Sequence, residues 1–325
     1  LFTDSGEGCS AFLGGISKNY DSNLLIDENN VIVAEADEFD RSFLQLFPEI
    51  AVITSMDPDH LDIYGDEAHI REAFKAFASQ VSGTVIVKYG LDITSEDTKA
   101  KIATYAYDNP SADFYAEPLE GEHFNLHYPG GVIEDCVVGI PGWVNIENGT
   151  GAAAIALTYG IDPLKIKKAL ASFSGVKRRF DKQLEKDGII YIDDYAHHPN
   201  EISAAISSIK GRYPDHKFTA IFQPHLYTRT RDFAEEFAIA LSQVDRLILL
   251  DIYPAREEPI PGVTSEIIFK DVTAPEKNLM KKEELIGFVE GLELTGKDVF
   301  ITLGAGDIDR LTGPLAEILK KKTDR

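Results

Sequence analysis

The sequence predicts two α/β units built on largely parallel sheets. Three observations carry this prediction. Short apolar runs of strand length recur along the chain and alternate with stretches of helical spacing. Clusters of titratable side chains fall directly after several of those runs, where open parallel sheets bind ligands. A length of 325 residues, 44% hydrophobic and 26% charged, suits two soluble globular domains that each bury a core.

In the first part, Val31-Ile32-Val33-Ala34, Ile50-Ala51-Val52-Ile53-Thr54 and Thr84-Val85-Ile86-Val87 read as strands. Between the last two, Ala68, Arg71, Phe74, Phe77 and Ala78 recur at three-to-four spacing, which predicts a helix. From about Ile102 to Val138 the pattern alternates by twos, with Pro129-Gly130-Gly131 as a turn, and predicts a small antiparallel β excursion. His123 and His127 fall on it and read as solvated strand histidines rather than a metal pair. Alanine-rich helix is expected from about Asn145 to Tyr159, and a second helix from Pro163 to Phe173. The boundary is placed near Gly175–Phe180, giving domains 1–176 and 177–325. The last part predicts strands at 188–193, 217–222, 246–250 and 298–303, and helices at 199–210, 230–243, 282–291 and 307–320. Phe233, Phe237, Leu241 and Val244 form one stripe, read as core.

Composition narrows the function. A formal charge of −22 argues against a nucleic-acid partner, which needs a basic face, but leaves room for small anions at a local basic island. Lys177-Arg178-Arg179 and Arg229-Thr230-Arg231 are two such islands. No apolar run reaches the length of a transmembrane helix, and the first residues do not form a signal peptide. With only Cys9 and Cys136, neither a disulfide framework nor a cysteine metal cluster is expected, and a reducing cytoplasm is the expected location.

The densest chemistry is Asp193-Asp194-Tyr195-Ala196-His197-His198-Pro199-Asn200-Glu201, between the apolar run 188–192 and a helix opened by Pro199. Two acids, a phenol and two imidazoles thus occupy one βα-turn, where a helix N-terminus favours anions. Two further turns carry acids: Glu35-Ala36-Asp37-Glu38 after the first strand run, and Asp57-Pro58-Asp59-His60 after the second. The two strands are read as neighbours in one sheet, so a carboxylate and an imidazole meet at one rim, a set suited to Mg2+ held with a nucleotide. Pro141-Gly142-Trp143-Val144-Asn145-Ile146-Glu147-Asn148 opens the alanine-rich helix, and Gln223-Pro224-His225-Leu226-Tyr227-Thr228-Arg229 follows another strand.

Taken in order, these motifs resemble the Mur ligases, ATP-dependent enzymes that form amide bonds in bacterial cell-wall synthesis. The acids, double histidine and proline at 193–199 resemble the subgroup that joins L-alanine to UDP-N-acetylmuramate. The resemblance implies a parallel-sheet, ATPase-type central domain, here truncated, followed by a Rossmann-like doubly wound domain. It makes Glu35 and His60, 25 positions apart, the magnesium ligands. It assigns Asn148 and Asn145 to adenine, Arg179 to the phosphates, Asp194 to the ribose hydroxyls and His197 to the terminal phosphate or transferred group. Tyr195, His198, His225, Tyr227 and Arg229 are its substrate-binding candidates. It departs from the family pattern at Leu226, where a basic residue is the rule. The implied partners are ATP, Mg2+, UDP-N-acetylmuramate and L-alanine.

No phosphate-cradling G-x-x-x-x-G-K-[ST] loop occurs in these residues, and the chain opens at Leu1 without methionine. The expectation is a fragment that is inactive as a ligase by itself. Three alternatives stay open. One is the sister ligase that recycles a tripeptide onto UDP-N-acetylmuramate. Another is a metal-dependent hydrolase using Asp57, Asp59, His60 and the His197-His198 pair. The last is a non-catalytic nucleotide-binding module.

Overall fold

In the computed structural model the described residues are 1–57 and 64–323. The chain divides into two compact units, Leu1–Ser174 and Gly175–Arg325.

The first unit holds two sheets. Strands β1 (Ser10–Ser17), β2 (Ser22–Leu25) and β3 (Ile32–Ala34) form one, in the order β2-β1-β3. Strands β4 (Ile50–Ile53), β5 (Thr84–Lys88), β6 (Lys101–Tyr107), β7 (Phe114–Pro118), β8 (Phe124–Tyr128) and β9 (Gly131–Cys136) form the other, in that order. Helix α1 (Glu67–Gln80) is capped by Asp66, whose side chain accepts from the His69 N–H, and buries Ile70, Ala73 and Phe77 beside Ile53, Val85 and Val87. Helices α2 (Trp143–Tyr159) and α3 (Pro163–Ser172) follow; Ala153, Ala156 and Ile166 share a core with Phe124 and Leu126.

Two expectations are corrected here. The runs at 31–34 and 50–54 do not neighbour one another in one sheet, because β1, a strand hidden by Gly14-Gly15, takes β3 as its parallel partner. The antiparallel excursion starts later than expected: β6 pairs in parallel with β5 and β7, and only β7-β8-β9 run antiparallel.

The second unit is one six-stranded sheet, order β10-β11-β15-β12-β13-β14. Its strands are β10 (Asp181–Lys186), β11 (Ile189–Asp194), β12 (Lys217–Phe222), β13 (Arg246–Leu250), β14 (Glu276–Met280) and β15 (Asp298–Leu303). β11 to β15 pair in parallel, and β10 runs antiparallel at one edge. Every residue of β11, β13 and β15 is buried, so the central strands are near-continuous apolar runs, as expected for strands covered on both faces. The charged edge strands β10 and β14 discourage further strand addition.

Helices α4 (Pro199–Arg212), α5 (Tyr227–Asp232), α6 (Ala234–Leu241) and α7 (Glu266–Phe269) come after β11, β12 and β13. Ile202, Ile206, Phe237, Leu241 and Ile268 of α4, α6 and α7 bury one face of the sheet with Ala220, Leu249 and Ile301. Helices α8 (Leu285–Gly291) and α9 (Thr312–Thr323) cover the other with Leu285, Val289, Leu315 and Leu319. The expected helix 230–243 is two helices broken at Phe233 (φ −122°, ψ 24°), yet its apolar stripe is core as expected. Because the chain leaves β15 for the opposite face from β11 and β12, these three strands part at their carboxyl ends, the usual place for a ligand crevice.

Candidate functional site

The site is built at that rim. After the boundary, Arg178 (φ +64°) and Phe180 (φ +46°) are in the left-handed region, and a bridge between Val176 and Arg179 closes the turn. This turn sends its two arginines to different tasks. The Arg178 side chain is only 21% exposed; its Nε donates to Asp193 at 3.2 Å and its Nη2 to the Gly304 carbonyl at 2.6 Å. The Arg179 side chain is 49% exposed, lies 5.2 Å from the Tyr195 ring centre and reaches Glu201 at 3.4 Å.

Asp194 is buried, and its two oxygens accept the backbone N–H groups of Phe180 and Ala196, at 2.7 and 2.8 Å. Burial raises its pKa to about 6, against the pull of those two donors. The resemblance assigned this carboxylate to ribose hydroxyls; the structure engages it with backbone that shapes the turn. Burial likewise raises Asp193, which accepts from Thr302 Oγ1 at 2.5 Å.

Glu201, three residues into α4, accepts the N–H groups of His197 and His198 at 3.0 and 3.2 Å. Burial opposes its charge, but the His197 imidazole, Arg179 and the two N–H donors hold its pKa below the ordinary value. Glu201→Ala is therefore expected to cost the second unit about 1 kcal/mol, read as a lowered unfolding temperature, and Glu201→Gln less than half of that. His197 meets Tyr195 edge to face at 5.3 Å, and its Nδ1 is 3.0 Å from the Tyr195 carbonyl. His198, half-buried at the start of α4, packs edge-on against Phe233 at 4.9 Å.

His225, after β12, faces His197 at 6.1 Å between ring centres and stacks on Tyr253 at 5.8 Å. Its Nδ1 lies 3.4 Å from Nη1 of Arg229, a buried arginine. Burial, then the charges of Arg229 and His197, push His225 down to about 4, so it is neutral near pH 7. Gly306 packs where a Cβ would come within 2.7 Å of the Tyr253 Cβ and 2.5 Å of Gln223 Oε1, so the last strand's loop closes tightly on the site. The rim thus gathers Arg179, Tyr195, His197, His225 and Arg229 as a cationic and aromatic surface able to hold anionic groups.

In the first unit Asn148 is exposed on α2, while Asn145 donates to the Pro141 carbonyl at 2.5 Å and secures the helix start. Between them Glu147 turns inward to Lys88, at 2.8 Å. Glu35 is exposed just after β3 and accepts the Gly14 N–H at 2.6 Å; His60 lies outside the described residues. Among the described residues no three His, Cys, Asp or Glu side chains are grouped to hold a metal ion. His123 pairs with Asp135 at 2.6 Å and His127 with Glu117 at 3.0 Å, each with its own carboxylate.

Residues 20–156 match the model of the Mur ligase middle domain, and residues 178–306 that of the Mur ligase, glutamate ligase domain. The chain belongs to the Mur ligase family. It is 51% identical to the UDP-N-acetylmuramate–L-alanine ligase of Parabacteroides distasonis, a match spanning 99% of this chain and 71% of that protein. It is 45% identical to the enzyme of the same name from Porphyromonas gingivalis, over 98% of this chain and 72% of that protein. Among solved structures, the UDP-N-acetylmuramate–alanine ligase of Thermotoga maritima shares the fold with a TM-score of 0.79 at 23% identity, over 100% of this chain and 71% of that one. A murein peptide ligase from Psychrobacter arcticus shares it with a TM-score of 0.68 at 19% identity, over 98% and 73%. Within this Mur ligase fold no described helix is long and apolar enough to cross a membrane.

Sequence reasoning left four site residues without a role. Glu201 was legible as a capping acid three residues into a helix. Arg178, Gln223 and Glu257 were not, because their partners lie 15 to 126, 84 to 85 and 29 to 30 residues away.

Proposed function

We propose that this Mur ligase chain serves a UDP-N-acetylmuramate–L-alanine ligase, joining the two substrates at the expense of ATP in peptidoglycan precursor synthesis. The observation that carries the reading is the 51% identity to an enzyme of that name across 99% of the chain. The rim of the second unit agrees with it chemically, since it offers cations and aromatics to anionic reactants.

The reaction takes a γ-phosphoryl group from ATP onto the muramyl carboxylate, and the alanine amine then displaces phosphate from that acyl phosphate. The chain's part is to position reactants and balance charge. Asn148, with Asn145 fixing the helix start, is proposed to read the adenine edge, for which an amide is suited. Arg179, half exposed beside the Tyr195 ring and Glu201, is proposed for the phosphates, and His197 for the terminal phosphate or transferred group. Arg229, His225 and Tyr227 are proposed to hold substrate carboxylate, with neutral His225 able to sit beside Arg229 without repulsion. Asp194 and His198 act through the turn they shape. Glu35 and His60 are the residues proposed for Mg2+, which would neutralise phosphate charge.

The test uses a polypeptide carrying this chain at the length of its relatives. Supplied with UDP-N-acetylmuramate, ATP and Mg2+, it is expected to release phosphate when L-alanine is added and not when a tripeptide is added. Asn148→Ala is expected to raise the KM for ATP about tenfold, the scale of a lost amide–adenine contact. Phosphate release that depends on the tripeptide alone, or on neither, would overturn the assignment.

A further inference from the structure

We propose that Glu257 is a positioning residue that clamps the segment His225–Arg229 into its working shape. The kinetic part of this proposal rests on the reading of that segment as the carboxylate-holding loop. The geometric part does not.

The segment needs a clamp. Leu226 has φ +72° and ψ 138°, a conformation that a leucine adopts only when its surroundings enforce it. What enforces it comes from the loop after β13. The Leu226 N–H donates to the Tyr253 carbonyl at 3.0 Å, and the Tyr253 N–H donates back to the Pro224 carbonyl at 2.8 Å. Beyond this bridge the chain makes a tight turn, Pro254 to Glu257, closed by the Glu257 N–H on the Pro254 carbonyl at 2.9 Å, with Ala255 at φ +50°. The turn delivers the Glu257 carboxylate to the first turn of α5. One oxygen accepts the N–H groups of Tyr227 at 2.5 Å and Thr228 at 3.1 Å, and the other accepts the Thr228 hydroxyl.

Three donors of one short helix are thus satisfied by one side chain about thirty residues away. A six-residue helix has little stability of its own, so its orientation depends on such ties. α5 carries Arg229, buried and 3.4 Å from His225, so the clamp fixes both side chains that face the rim. Leu226 contributes here through its backbone, which Tyr253 holds, and Glu257 holds the two residues that follow it.

The experiment compares Glu257→Ala, Glu257→Gln and, as a neighbouring exposed control, Glu258→Gln. Amide hydrogen exchange of Tyr227 and Thr228 in this chain is expected to quicken about tenfold in Glu257→Ala, while buried strand amides such as Ile221 and Ile248 keep their protection. Glu257→Gln, which retains an acceptor, is expected to recover most of the loss, and Glu258→Gln to change nothing. In the ligase at the length of its relatives, Glu257→Ala is expected to raise the KM for L-alanine or UDP-N-acetylmuramate about tenfold and leave the KM for ATP unchanged. Unchanged exchange at Tyr227 and Thr228, or a loss of protection spread equally over β12 and β13, would overturn the clamp. Should Glu257→Ala not fold, Thr228→Val removes one arm of it, and wild-type exchange in that variant would overturn the clamp as well. A wild-type ligase indifferent to L-alanine would instead refute the proposed function, and the exchange result would still decide the role of Glu257.

Discussion

Replacing Arg178 with methionine is expected to destabilise the second unit by about 3 kcal/mol, whereas Arg179→Met costs less than about 1 kcal/mol. The two residues are adjacent and chemically identical, so the difference tests the structure alone. Arg178 balances Asp193, a carboxylate only 2% exposed. Removing the guanidinium leaves that acid buried with Thr302 as its remaining side-chain partner, and also strips the Gly304 carbonyl of a donor. Breaking a buried pair from one side costs about 3–5 kcal/mol; the partial exposure of Arg178 places the expectation at the lower end. Arg179 is half exposed, and its contact with Glu201 is a surface pair. Urea unfolding of the chain measures both: the midpoint for Arg178→Met should fall with an unchanged slope. The double variant Arg178→Met with Asp193→Asn should recover part of the loss, because the stranded charge is gone. If Arg178→Met proves as stable as wild type, Asp193 is neutral in the fold and the pair is no pair. Activity divides the two the other way: Arg179→Met is expected to fold normally and lose ligation.

This division explains what could and could not be seen in the sequence. Lys177-Arg178-Arg179 reads as a basic island, but sequence does not say which arginine faces a ligand and which a buried aspartate. That depends on two left-handed residues, Arg178 and Phe180, neither of them glycine. The central strands β11, β12, β13 and β15 were legible because burial on both faces leaves long apolar runs. The edge strands β10 and β14 were not, since Asp181-Lys182-Gln183 and Glu276-Lys277-Asn278 carry the charges that keep an edge unpaired. β1 was hidden by its two glycines, and its absence from the reading made β3 and β4 seem to be neighbours. Candidates in contiguous motifs, such as His197 and His225, could be named from the sequence, and the fold sets these two rings 6.1 Å apart. Glu257 was missed because its hydrogen bonds are made in the folded chain with residues about thirty positions away.

Two groups at the same rim should give opposite slopes of stability against pH. The Asp194 pKa is raised from 3.8 to about 6 in the fold. Between pH 4 and 6 the folded chain therefore keeps a proton that the unfolded chain releases, and stability from this group falls as pH rises. A shift of about two units is worth roughly 3 kcal/mol. His225 is lowered from 6.5 to about 4. Between pH 6.5 and 4 the unfolded chain takes up a proton that the folded chain refuses, so stability from this group is present above 6.5 and lost as pH falls. Because the ring is partly exposed, screening reduces this to about 2 kcal/mol. Over pH 4 to 6 the two slopes nearly cancel in the wild type. Single substitutions unmask them. Relative to wild type, Asp194→Asn should gain stability as pH rises from 4 to 6, apart from a constant loss for one backbone donor it no longer accepts. Relative to wild type, His225→Gln should lose stability over the same window. Denaturant midpoints measured across pH 4 to 7 give the difference curves, in which the titrations of the distant Glu276 and Asp307 are common and subtract out, whereas Glu201, whose charge helps to raise Asp194, titrates as part of the Asp194 difference. A difference curve for Asp194→Asn that stays flat would mean that Asp194 ionises in the fold at its ordinary value, its two backbone donors outweighing its burial.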